Sequence, residues 1–262
     1  MDIIIVLDEF SGHLFHDIEL YIIAFEKLKN LNCECNNVYF LKPYKSYNEK
    51  IIDTKWNNIL CLKLFNKNYI IIEKNNILDK SIIIDRNFVD TRNINKAFSA
   101  SIYNFPTNLW SECFNINKSN DKKYKILYPI RNTKLRSLDE YSHKKLCSII
   151  KKYDEDATIC DVGTLSFTEQ IEIFRNHNII IGIHGNNLSG IMWAKPQSFI
   201  FEILPIKLKD SIYDYHCMSL CMKHNYTQID CLGETINSTF TLNENSLYAI
   251  DSNLKLFCNI IN

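Results

Sequence analysis

The sequence predicts an α/β protein built from two halves, each a parallel sheet covered by helices. Three observations carry that prediction. Short, β-branched apolar runs alternate with longer segments of helical period along the chain. In the second half these runs are apolar throughout, which marks strands buried on both faces. A polar stretch, NINKSNDKK at 115–123, interrupts the pattern near the middle. With 262 residues, 46% of them hydrophobic, the chain can bury a core in each of two moderate domains.

In chain order, the first half offers strands at 2–7 (DIIIVL), 37–41 (NVYFL), 69–73 (YIIIE) and 81–85 (SIIID). Residues 13–31 read as a helix, because Leu14, Ile18, Tyr21, Phe25 and Leu28 fall on one stripe. In the second half, a strand at 124–130 (YKILYPI) precedes a helix opening at Ser137-Leu-Asp-Glu140. A strand at 157–162 (ATICDV) precedes a helix opening at Ser166-Phe-Thr-Glu169. Both openings fit a capping box, in which Ser and Glu each satisfy a free backbone N–H. Strands at 178–183 and 198–203 follow with a helix between them, then a helix near 212–224, a strand at 226–230 and a last helix over 243–260. The expected domains are 1–117, 118–240, and a C-terminal helix, 241–262, packing back across them. Ligands of such sheets bind beyond the carboxyl ends of the strands, so a cleft faced by both halves is the expected site.

Composition removes several classes. Thirty basic and thirty acidic residues give no net charge, and so no footprint for nucleic acid. No apolar run approaches a membrane span, and the opening MDIIIVLDEF has no basic segment ahead of a long apolar one. A cytoplasmic location is therefore expected. The ten cysteines are scattered without CxxC pairs, several inside apolar segments, and read as reduced. The sequons at Asn117, Asn225 and Asn237 are then incidental.

The stretch IIIGIHGNNLSGIMWAKPQSFIFEILP, 179–205, gathers three of the chain's six glycines within nine residues. Gly182 ends a buried strand, His184-Gly185 makes a turn, and Asn186 or Asn187 starts a helix. A strand, a glycine turn and a helix leave backbone N–H groups free to meet an anion, and glycine lets the backbone come close to it. The same pattern also serves packing alone, so by itself it leaves both readings open.

The wider segment resembles the nucleotide-binding half of family 61 glycosyltransferases, whose pattern reads approximately G-x-H-G-A-G-L-T-N, then an apolar pair, Phe, Pro-Gly-Ser and an apolar-Glu-apolar-x-Pro strand. Here it stands as Gly182-Ile-His184-Gly185-Asn186-Asn187-Leu188-Ser189-Gly190, then Trp193, Pro196-Gln-Ser198 and Phe201-Glu202-Ile203-Leu204-Pro205. LSFTEQIEIFRNHNIII upstream and YPIRNTKLRSLDE are similar to two further family segments, so the resemblance spans about 124–230. Asn186 and Asn187 replace the usual Ala and Gly, Gly190 the usual Asn, and Gln197 the Gly of Pro-Gly-Ser. The asparagines are expected to tolerate the turn's backbone angles. FSGHLFHDIELYIIAFEKL in the first half is more faintly similar to a family segment with an aromatic-His pair opening a helix.

The resemblance implies the GT-B arrangement, two Rossmann-like domains facing a cleft. It also implies inverting, metal-independent transfer of a sugar from a nucleotide sugar, with UDP as the nucleotide, to a glycan or other hydroxyl acceptor. Such a reaction needs a base for the acceptor hydroxyl and positive groups for the departing diphosphate. For the base, His16 is named, with Asp17 and Glu19 as rivals; an imidazole titrates near neutral pH. For the donor, Arg131 at a strand end matches the family arginine near the diphosphate, and Arg136 or Lys134 assists. Gly182, His184, Gly185, Asn186 and Asn187 form the turn, Glu202 accepts from ribose hydroxyls, and Ser166, Phe167 and Gln170 meet the nucleobase. Core packing remains the commoner role for Phe167. Asp154-Glu-Asp156 spells the DxD metal motif of another glycosyltransferase architecture, but it falls in a helix-to-strand turn on the amino side of the sheet. No metal and no cofactor beyond the donor substrate is expected. A nucleotide-sugar epimerase of similar architecture, and a non-catalytic nucleotide-sugar-binding protein, stay open as alternatives.

Overall fold

The computed structural model describes residues 1–7, 14–42, 56–73, 81–84, 124–131, 135–209 and 214–261, without the side chains of Leu14, Phe15, His16, Glu19, Glu26, Cys221, Ile260 and Ile261. The linker stretch 115–123, His13 and Lys134 lie outside the described residues. The chain divides into two compact units, Met1–Asn115 and Ile116–Asn262.

The first unit holds β1 (Asp2–Val6), α1 (Leu14–Asn30), β2 (Val38–Leu41), α2 (Asn57–Leu60), β3 (Tyr69–Ile72) and β4 (Ser81–Ile84). Its strands are all parallel, in the order β3-β2-β1-β4. Ile3, Ile4 and Ile5 of the central β1 are buried, as the apolar run requires. The α1 stripe buries Ile18, Tyr21 and Leu28. Tyr21 donates its hydroxyl to Asn57 Oδ1 at 2.8 Å, fastening α1 to α2.

The second unit holds β5 (Ile126–Pro129), α3 (Glu140–Tyr153), β6 (Thr158–Cys160), α4 (Phe167–Arg175), β7 (Ile179–Ile183), β8 (Phe199–Pro205), α5 (Asp214–Cys221), β9 (Asn225–Cys231) and α6 (Glu244–Ile261). Its five parallel strands run β6-β5-β7-β8-β9. In this doubly wound order the chain reverses its direction of growth between β5 and β7, which opens a crevice at their carboxyl ends. One sheet face, with Ile126, Tyr128, Ile181, Ile183, Phe201 and Ile203, packs against Leu146 and Ile150 of α3 and Leu247, Ile250 and Leu254 of α6. Thus α6 lies on the sheet of its own unit. The other face meets Leu188: a Cβ on Gly182 would lie 2.6 Å from Leu188 Cδ1.

Two local expectations need correction. Ser137 does not cap α3. Asp139 does, its carboxylate accepting the Ser142 N–H at 2.8 Å, while Ser137 O accepts the Phe240 N–H and is committed to that contact. The Ser166–Glu169 box is present in full. The helix between β7 and β8 is a 3-10 helix, Asn186–Trp193. Its three-residue period puts Leu188, Ile191 and Ala194 on one line, and all three are fully buried. Phe174 crosses this segment so closely that a Cβ on Gly190 would sit 2.1 Å from its ring. Of the glycines in this turn, only Gly185 has a positive φ, at 137°. The left-handed residue farther on is Gln197, φ 67°, where the family pattern has glycine.

The described cysteines, including Cys61, Cys147 and Cys231, are all free thiols. Among the described residues, no helix is long and apolar enough to cross a membrane.

Candidate active site: the crevice between β5 and β7

β5 ends at Pro129, and two residues on is Arg131; β7 ends at Ile183, followed by His184 and Gly185. Both segments therefore leave the sheet on either side of the reversal point. Asn187 Nδ2 donates to Ile130 O at 2.6 Å and holds the start of the 3-10 helix against the end of β5. Leu188 N–H, bonded to Gly185 O at 2.8 Å, closes the first turn. The amide of Asn187 precedes that bond at the start of the helix. Asn186 and Asn187 themselves have ordinary helical backbone, so the expected need for asparagine at unusual angles falls on Gly185 alone.

Gly185 is the close-approach point. A Cβ there would be 2.9 Å from Arg131 Nη1 and 3.6 Å from Arg136 Nη1. Two guanidinium groups thus converge on one turn. Among the described residues neither has a carboxylate partner, and Arg131 Nη1 is buried without any hydrogen-bond acceptor. Arg136 is fixed from behind: its Nε donates to Asn237 Oδ1 at 2.9 Å and its N–H to Ser238 O. Burial and the charge of Arg136 lower the pKa of Arg131, against the opposing influence of Tyr215 and Asp161. A half-buried cation with a buried, unmet donor and a like-charged neighbour favours an anion.

His184 is 7% exposed. Its Nδ1 meets Glu202 Oε1 at 2.5 Å, and Tyr226 donates its hydroxyl to Glu202 Oε2 at 2.5 Å. Glu202 itself is 1% exposed, and both its oxygens are engaged by protein groups. Tyr215, edge-on to the His184 ring at 5.2 Å, donates to Gly185 O at 2.6 Å and so pins the turn. Burial raises the Tyr215 phenol far above its ordinary pKa and keeps it a donor.

Arg131, Arg136, Gly182, His184, Gly185, Asn186, Asn187 and Glu202 therefore gather around one strand end. Ser166 and its neighbours serve the fold: its hydroxyl caps α4, Gln170 Nε2 donates to Leu165 O at 3.2 Å, and Phe167 packs edge-on against Trp193. In the first unit, His16 and Asp17 lie on the first turn of α1 and Glu19 on the second, and the side chains of His16 and Glu19 lie outside the described residues. Asp17 is 4% exposed, and its Oδ2 accepts from Trp56 Nε1 at 2.9 Å. Tyr215 and Tyr226 are additions of the structure; in the sequence nothing separates them from core aromatics.

The fold and this turn define an α/β chain with two arginines gathered at the reversal point of a parallel sheet. The family model described as Glycosyltransferase 61 matches residues 11–201, well over half of the chain, and the chain belongs to that family of glycosyltransferases. The match takes in α1, which lies outside the 124–230 stretch that carries the clearest motifs, and it stops one residue short of Glu202. No curated protein matches the chain.

Proposed function

We propose that this glycosyltransferase moves a sugar from a UDP-linked donor to an acceptor hydroxyl, with inversion and without a metal, in a GT-B arrangement. The second unit holds the donor. Arg131 and Arg136 meet the diphosphate at Gly185, and His184 offers a ring nitrogen. The observation that carries this reading is Arg131 Nη1, buried and unpartnered at the sheet's reversal point. The positive groups supply the charge compensation that a divalent cation gives elsewhere.

The acceptor's base comes from the first unit in this reading. In the order β3-β2-β1-β4 the reversal falls beside β1, and α1 follows β1 directly. Asp17 is spent on Trp56, which leaves His16 as the first choice and Glu19 as its rival.

Titration of UDP against Arg131→Ala and His184→Ala tests the donor site. Loss of a charge-assisted contact worth about 1.5–3 kcal/mol weakens binding roughly tenfold or more. Unchanged affinity in both folded variants removes the assignment. His16→Ala should lower turnover by about 10²–10⁴-fold with UDP affinity kept; full turnover in that variant moves the base to Glu19.

A further inference from the structure

The residues His184, Glu202 and Tyr226 form a staircase across three neighbouring strands. Register places Gly182 beside Glu202 and Ile200 beside Tyr226. His184 therefore stands two residues above Glu202, and Glu202 two above Tyr226, all on one face of the sheet. Tyr226 continues the line outward by stacking on His216, at 4.8 Å and 14°.

Proton placement along this chain follows from donor and acceptor counting. Burial and the nearby Glu202 carboxylate push the Tyr226 phenol far above its ordinary pKa, so it donates, and Glu202 Oε2 accepts. Oε1 is then left for His184 Nδ1. When the Glu202–His184 pair carries no net charge, a hydrogen sits on Nε2, whichever partner holds the proton in the 2.5 Å contact. The groups around the chain are Tyr215 at the ring edge, Arg131 and Arg136 at Gly185, and Asp230 and Cys217 near Tyr226.

We propose that Glu202 and Tyr226 are positioning residues that act through His184, fixing its ring so that Nε2–H is presented to the diphosphate of the donor. The inference rests on the donor-site reading above and replaces the ribose-binding role for Glu202. Burial supports the replacement, because the Glu202 side chain is 2% exposed. It also explains why an acidic residue sits in the interior of a sheet beside an anion site. The carboxylate faces the imidazole, and its charge is relayed to the surface as a donor.

Glu202→Gln and Tyr226→Phe, titrated with inorganic pyrophosphate and with UDP, test the inference. Glu202→Gln keeps the shape and removes the charge. It should weaken both probes by the same factor, about fivefold to tenfold, so that the ratio of the two Kd values stays that of the wild type. Tyr226→Phe should act on both in the same direction by about twofold to threefold, and it answers the question if Glu202→Gln fails to fold. Ring ¹⁵N spectra of His184 should show a protonated Nε2 in the pyrophosphate complex, lost or shifted in Glu202→Gln. Weakened UDP with unchanged pyrophosphate would return Glu202 to the ribose and overturn the inference. Unchanged affinity for both probes would make the trio a packing device only. A wild-type chain that binds neither probe overturns the donor site itself, and this inference with it.

Discussion

At the amino ends of the second sheet, Asp154 Oδ2 accepts the Ile126 N–H at 2.9 Å and Asn178 Oδ1 accepts the Lys125 N–H at 2.8 Å. His177 uses both ring nitrogens, one on Ile173 O and the other on Thr158 Oγ1. At the carboxyl ends, Arg131 Nη1 is buried with no acceptor, Arg136 crowds toward it, and the His184 ring is tied at Nδ1 alone. Both ends hold a histidine, a carboxylate and a cation. The amino end even opens into a hollow of about 520 Å³ lined by Lys125, Asp154, Asp156 and His177. Among the described residues, the orphan polar atoms at the amino end, Asn176 Oδ1 and His224 Nδ1, carry no charge at neutral pH, whereas Arg131 Nη1 at the carboxyl end is a charged donor. Residue type does not separate structural from functional ends; the groups left unmet after the backbone has been satisfied do.

The sharpest way to break this contrast is Gly185→Ala. The new Cβ would stand 2.9 Å from Arg131 Nη1 at a φ of 137°, a conformation that costs a non-glycine residue about 1–3 kcal/mol. We expect UDP affinity to fall at least roughly tenfold and the melting temperature to drop by about 3–10 °C. Retained affinity would mean that the two arginines do not converge on a ligand at this turn.

A second test sets His224, at the amino end, against His184. His224 Nε2 donates to Ile191 O at 2.9 Å, and the residue is 8% exposed. Burial lowers its pKa from 6.5 to about 4. The unfolded chain takes up that proton below pH 6.5 and the folded chain does not until about pH 4. The stability it contributes is therefore full above the unfolded pKa and is lost as pH falls toward the folded one, by roughly 3 kcal/mol in all. His177, lowered by burial as well, adds in the same direction. Denaturant melts of His224→Gln should show a shallower loss of stability between pH 6.5 and 4 than the wild type, with UDP affinity at pH 7 unchanged. An identical acid profile would show that this histidine is not the acid-sensitive group.

Much of this fold could be read in the sequence, because period and burial are local signals. The apolar runs became strands within a residue or two, and the Ser166 box formed because Ser166 and Glu169 are the only partners each needs. The Ser137 box looked the same on paper and failed, because Phe240, over a hundred residues away, claims Ser137 O. The site was legible to the same extent. Arg131, Gly185 and His184 announce themselves by strand end and glycine turn. Tyr226 and Tyr215 do not, since their roles depend on register with β8 and on the reach of α5 to Gly185 O. The partners of Glu202 are hidden in the same way, since they stand on or just beyond the flanking strands.

A smaller effect is expected from Asp154→Ala. It strips the acceptor from the Ile126 N–H and opens space at the amino end, which should cost about 1–3 kcal/mol. UDP affinity should not move, because the proposed donor crevice is at the opposite end of the strands. A folded variant with lost affinity would make the amino-end hollow part of the binding site and erase the contrast drawn above.

The smallest effect concerns Asp156 and metal. Asp154 and Asp156 spell a DxD triplet, which in another glycosyltransferase architecture carries the cation that bridges the donor diphosphate. Here Asp154 is bound to the amide that opens β5, so the triplet lies a strand's length from Arg131, which follows the end of β5. A cation held by Asp156 would be too far from the arginines and Gly185 to share a diphosphate with them. Asp156→Asn should therefore leave UDP affinity and turnover at wild-type levels, and a chelator should leave both unchanged in either protein. A Mn²⁺ or Mg²⁺ requirement that disappears with Asp156→Asn would relocate the donor to the amino end. A requirement that survives the substitution would instead put the cation at the carboxyl end, beside the arginines proposed to make it unnecessary.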